Sequence, residues 1–117
     1  MTPDELKVAC LSQNGAEEQF PFGPDTSVFK VGGKVFAISR LDGRPLTVSL
    51  KCDPELAQSL RAAHSAIVPG YHLNKRHWNT VTIDGSLADG MIVDLIEDSH
   101  ELVVRSLTRA QRAALGG

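Results

Sequence analysis

The sequence predicts a two-layer α+β domain: an antiparallel five-stranded sheet with its helices gathered on one face. Three observations predict it. Two strand-like runs flank Gly32-Gly33, a dipeptide suited to a two-residue hairpin turn. The run Leu46–Lys51 alternates, with Leu46, Val48 and Leu50 on one side and Thr47, Ser49 and Lys51 on the other. That pattern suits a sheet covered on one face and wet on the other. Near the C-terminus, Leu87, Met91, Ile92, Leu95, Ile96, Leu102 and Val103 form a broad helical apolar face that can lie on such a sheet.

The elements are expected in the order α-β-β-β-α-β-β-α. Thr2 is an N-cap, with Pro3 at the first helical position and Glu5 placed to close a capping box. Leu6, Ala9, Cys10 and Gln13 follow at helical spacing, and Asn14-Gly15 stops the helix. Residues 16–26 contain Phe20-Pro21-Phe22-Gly23-Pro24, which cannot be regular structure. This stretch is read as a loop whose Phe20 and Phe22 plug the core. Strands are expected at Ser27–Val31, Lys34–Arg40 and Leu46–Lys51, the last after the turn cluster Asp42-Gly43-Arg44-Pro45. Asp53 and Pro54 open a second helix with a buried stripe of Leu56, Leu60 and Ala63. A short extended piece at Tyr71–Leu73 and a strand at His77–Ile83 complete the sheet. Asp84-Gly85 turns the chain, Ser86 caps the last long helix, and Thr108–Gln111 can start another helical turn before a frayed Leu115-Gly116-Gly117.

Length and composition fit one soluble domain spanning residues 1–117. The chain has 117 residues, 42% of them apolar and 22% charged. The N-terminal MTPDELK lacks a basic segment followed by an apolar run, and no apolar stretch reaches membrane-spanning length. A cytoplasmic protein is expected. Cys10 and Cys52 match no metal spacing and are read as free thiols. The net charge of −2 does not announce a nucleic-acid binder. Its distribution says more. Residues 51–83 carry four Lys/Arg against two Asp/Glu, a net of +2, whereas the segments before and after are net −1 and −3.

The locally basic segment contains PGYHLNKRHWN, Pro69–Asn79, with the only tyrosine and the only tryptophan. Metal binding is disfavoured, because His72 and His77 lack a firm third ligand nearby. Nucleophilic catalysis would pair Cys52, its pKa lowered by the adjoining helix start, with His72 or His77. No third orienting group is evident, so a non-enzymatic protein is expected. Nucleic-acid contact fits the residue types better. Val81 and Ile83 take the core phase, which puts Trp78, Thr80 and Thr82 on the open face beside Lys51. Lys75 and Arg76 would meet phosphates, while Trp78 or Tyr71 could stack on a base. The plainer reading is a packed tryptophan and a solvated basic turn.

Four motifs, in order, resemble those of the MmcQ/YjbR family: FPFGPDTSVFKVGGKVFA, VSLKCDPE, PGYHLNKRHWNTV, and DGS before a closing amphipathic helix. The resemblance runs from Glu17 through Leu107. It implies a small bacterial cytoplasmic domain with a frataxin-like (CyaY-like) fold and DNA as partner. Frataxins bind iron through a run of acidic residues on the first helix. Here that helix offers only Asp4 and Glu5, so no metal or other cofactor is expected. The resulting expectation is a monomer that contacts DNA weakly and largely without sequence preference. Lys51, Lys75 and Arg76 would touch phosphates, and His77 and Trp78 would stack or enter a groove. The alternative is a protein-interaction or small-ligand module using the same face.

Overall fold

The structure is a computed structural model and describes residues 1–116. Its elements are α1 (Pro3–Leu11), β1 (Glu17–Gln19), β2 (Ser27–Val31), β3 (Lys34–Ser39) and β4 (Leu46–Lys51). Then follow α2 (Pro54–Ala63), β5 (Ile67–Pro69), β6 (Trp78–Ile83), α3 (Asp89–Ser106) and α4 (Arg109–Ala114). The six strands form one antiparallel sheet in the order β1-β2-β3-β4-β6-β5. Leu6 and Cys10 of α1 and Ile92, Ile96 and Val103 of α3 share one buried cluster with Phe29, Val48 and Val81 of the sheet. The predicted α+β class and antiparallel pairing hold.

Local chemistry accounts for most helix starts. The Thr2 hydroxyl accepts from the Glu5 amide, and the Glu5 carboxylate accepts from the Thr2 amide at 2.8 Å. Those hydrogen bonds hold the Glu5 carboxyl below its ordinary pKa. Asp53 caps α2, and Thr108 with Gln111 forms a second capping box for α4. At the β2–β3 turn, Gly32 has φ +57, and any side chain there would meet Leu107 at 2.8 Å. Lys34 donates to the Ser106 carbonyl at the end of α3, a favourable place for a cation.

Several expectations are corrected. The sheet has six strands instead of five, because Glu17–Gln19 pairs with β2 as an edge strand. Its three residues carry no apolar alternation, so pairing with β2 supplies the order that the sequence lacks. The short strand lies at Ile67–Pro69 rather than Tyr71–Leu73. Pro69 is tolerated there because β5 is an edge. Phe20 and Phe22 do not plug the core; they are 49% and 73% exposed. The α2 stripe is rotated: Ala57 is buried and Leu60 and Arg61 half-buried, while Leu56 and Ala63 are exposed. Ser86 sits in a turn held by Asp84, and α3 starts after Ala88 with no side-chain cap. Leu115 is tied down, since its carbonyl accepts from Asn14 at 3.2 Å; Gly117 lies outside the described residues.

One buried hydroxyl joins the layers. The β2–β3 register shifts after Phe29, leaving Phe36 without a partner on β2. Both Phe36 and Ala37 then enter the core. On the β4 side the ladder pairs Ala37 with Leu50 and Ile38 with Ser49. Beyond it, Ser99 of α3 inserts its hydroxyl: Oγ donates to the Phe36 carbonyl at 2.6 Å and accepts from the Lys51 amide at 2.9 Å. Ser99 is fully buried.

Two outcomes follow from this packing. Ser99→Ala strands a buried carbonyl and amide and should cost about 2–3 kcal/mol. Urea unfolding should show this as a lower midpoint at unchanged slope; a loss under about 0.5 kcal/mol would remove Ser99 from this role. The second concerns Cys10, whose thiol is pushed up to about 12 by burial and then by the Glu18 carboxylate, against an ordinary 9.0. Above pH 9.0 the unfolded chain releases a proton that the folded chain retains, so stability falls as pH rises from there. Cys10→Ala should flatten that decline in a denaturant series across alkaline pH, and an unaltered slope would contradict the assignment.

Candidate functional site

The open side of the sheet is read from strand alternation. Thr47, Ser49 and Lys51 of β4 face away from the helices and stand opposite Thr82, Thr80 and Trp78 of β6. Lys30 of β2 shares this side, since its neighbours Phe29 and Val31 are in the core. The face is partly filled. Thr80 is only 9% exposed, and its hydroxyl lies 2.9 Å from that of Ser49.

The loop from Gly70 to His77 folds at the Lys51–Trp78 end of this face. Its ladder contact is Gly70, whose amide donates to the Trp78 carbonyl at 2.8 Å. A side chain at Gly70 would meet Trp78 Cβ at 2.7 Å, so glycine permits this close approach. The Tyr71 amide donates to Thr80 Oγ1 at 3.1 Å, drawing the loop over the open side. Asn74 accepts from the Arg76 amide at 3.0 Å through Oδ1 and from the Trp78 amide at 2.9 Å through its carbonyl.

From the helix side, Arg61 of α2 holds the same loop. Its Nε donates to Asn79 Oδ1 at 2.6 Å, and its Nη2 donates to the carbonyls of Lys75 and Trp78. A planar fork is needed to serve a side-chain amide and two carbonyls at once. Arg61 is not among the site residues expected from sequence. The spacing Ala57-Leu60-Arg61 would have revealed it, had Ala57 been taken as the buried residue of α2.

The site residues expected from sequence fall into distinct places. Lys51 and Trp78 are cross-strand partners, and both are half-buried. Lys75 and Arg76 are exposed in the loop just before Trp78. Lys75 is partly engaged, because its Nζ donates to the Gly70 carbonyl at 3.0 Å. His77 departs from expectation. Its carbonyl accepts from the Cys52 amide, which extends the β4–β6 ladder and puts His77 in the covered phase of Asn79. Among the described residues, no carboxylate forms a salt bridge with Lys30, Lys51, Lys75 or Arg76.

The helix start does not lower the Cys52 thiol pKa as expected. Burial raises the Cys52 thiol pKa, with the Asp53 and Asp98 carboxylates adding to it, and these effects outweigh the helix start. Cys52 borders a cavity of about 140 Å³ with Asp53, Asp98 and Glu101. The described residues contain no group of three or more His, Cys, Asp or Glu arranged to hold a metal ion. None of their helices is long and apolar enough to cross a membrane.

Known proteins share this architecture. The YjbR family model matches residues 11–102. The chain belongs to the YjbR family. The Escherichia coli K12 protein YjbR is 40% identical over 116 residues, covering 98% of each chain. Among solved structures, a DUF419-domain protein from Deinococcus radiodurans has a TM-score of 0.91 and 42% identity, covering 98% of this chain and 88% of that one. A Pseudomonas syringae protein has a TM-score of 0.75 and 31% identity, covering 87% and 98%. The YjbR match takes in α2, β5, the loop and β6, so Arg61 and its contacts lie within the family's portion of the chain.

Arg61→Lys keeps the charge and loses the fork. Amide hydrogen exchange in residues 71–78 should accelerate in this variant by roughly tenfold or more, matching the loss of about 1.4 kcal/mol of local stability. Unchanged protection in that loop would show that Arg61 does not hold it.

Proposed function

We propose that this protein binds DNA weakly and largely without regard to sequence, through the open sheet face and the Gly70–His77 loop. The observation that carries this reading is charge segregation. Strands β2–β6 contain three lysines and no carboxylate, whereas α3 alone carries five carboxylates. Of those lysines, Lys51 is on the open side with Lys75 and Arg76 beyond it at the same end, while Lys30 shares the side but stands opposite Glu17 of β1. Such a surface attracts a phosphate backbone by releasing its counterions, and the helical side repels it.

Weak sequence preference follows from what the side chains already do. Bidentate base reading in a groove uses Asn, Gln or Arg. Here the Asn79 amide accepts from Arg61, the Asn74 amide from the loop backbone, and Arg61 faces inward. Cations and aromatic rings remain for the ligand, and these respond to backbone and base faces alike. On this reading the protein is a cytoplasmic monomer and a binder rather than a catalyst. The frataxin-like topology implied by the resemblance then serves as a scaffold for a cationic face. Trp78 and Lys51 form its centre, and His77 drops out of the contact set.

Fluorescence titration with a short labelled duplex tests this. Affinity should fall by about two orders of magnitude between about 50 and about 200 mM salt, as three or four phosphate contacts require. Lys51→Ala/Arg76→Ala should reduce the salt slope by about 2, while Lys7→Ala on the opposite side should leave it alone. Absence of binding at low salt would overturn the function. Salt-insensitive binding would point instead to a protein-interaction or small-ligand module.

A further inference from the structure

The loop presents an aromatic pair that phosphate contact does not use. Tyr71 is 72% exposed, and its ring centroid lies 4.0 Å from that of His72, with the planes inclined at 55°. His72 has φ +58, and it is the one non-glycine among the described residues with a positive φ. That conformation is costly for a residue with a Cβ and persists only where the surroundings impose it. Here they do. The Tyr71 amide is bonded to Thr80 Oγ1 on the open face, the Gly70 amide to the Trp78 carbonyl, and the Gly70 carbonyl to Lys75 Nζ. These bonds hold the backbone of Gly70 and Tyr71 just before His72, while the tyrosine ring stands in water.

A single exposed tyrosine is ordinary. An exposed ring paired with a second one, on a strained and anchored backbone in the same loop as the exposed Arg76, is a preorganised stacking surface. Stacking needs an accessible base face. Duplex DNA offers its phosphates and base edges, and its base faces are already stacked. A single strand offers both phosphates and faces, and every base has a face, so the preference carries no sequence.

We infer that the Tyr71–His72 pair selects single-stranded over double-stranded DNA by stacking on an unpaired base while Lys51 and Arg76 hold the adjoining phosphates. This rests on the DNA-binding reading above and narrows its substrate.

The test compares three labelled probes of equal length: an oligothymidylate, an abasic phosphodiester strand and a duplex. The protein should bind oligothymidylate about tenfold tighter than the abasic strand, as one stacked base provides, and tighter than the duplex. Tyr71→Ala should abolish that preference and leave abasic-strand affinity unchanged; Tyr71→Phe should retain it. Equal wild-type affinity for oligothymidylate and abasic strand would overturn the inference and leave DNA binding standing. So would a Tyr71→Ala loss shared equally by all three probes. Failure to bind any probe would overturn the DNA-binding reading and this one with it.

Discussion

The hydroxyl of Ser99 is the joint on which the two layers depend. The β3–β4 ladder stops at Ala37 and Leu50, next to the β2–β3 bulge at Phe36, and a hydroxyl from α3 bridges the next rung by accepting from one strand and donating to the other. Both bonds are made at a fully buried position, where an unmet backbone group is expensive. The same bond fixes the Lys51 amide, so the helical layer sets the end of β4 and thereby the place of Lys51 opposite Trp78. With α3 held against one side, its carboxylates are committed to the helical layer and the strand lysines Lys30 and Lys51 are left on the other. The division of charge between layers is therefore a consequence of packing.

The second joint is Arg61, which does for the loop what Ser99 does for the sheet. Residues 70–77 have no strand or helix of their own, and a polar loop of this length would otherwise sample many conformations. A guanidinium reaching from α2 takes up the carbonyls of Lys75 and Trp78 and the amide of Asn79. The cationic and aromatic side chains then project from a backbone held on both sides. Half-burial of Trp78 reconciles its two expected roles: its Cβ lies close against Gly70 of the loop, and the residue shares the face with Lys51.

What could be read from sequence divides along physical lines. The capping box of Thr2 and Glu5, the Asp53-Pro54 helix start, the Gly32-Gly33 turn and the alternation of Leu46–Lys51 are local signals, and each formed as expected. Strands β1 and β5 have three residues each and owe their existence to a neighbour, so no local pattern marks them. Ser99 and Arg61 are polar residues on packed helix faces, and their hydrogen-bond partners are far away in sequence. The apolar character of Phe20 and Phe22 suggested a core that the chain fills with Phe29 and Phe36 instead. For the candidate site, residue types and the basic segment were evident from sequence. The engagement of Lys75, the inward phase of His77 and the anchored Tyr71–His72 pair required three-dimensional register.

On the proposed reading, a polyanion docks on the open face of the sheet and its Arg61-held loop. Backbone amide chemical shifts followed during titration with a short DNA strand at low salt test it most directly. Perturbations should cluster at Lys51, residues 70–78 and Thr80, with α1 and the exposed side of α3 staying still. Perturbations centred on α1 and α3, or none at saturating DNA, would contradict it.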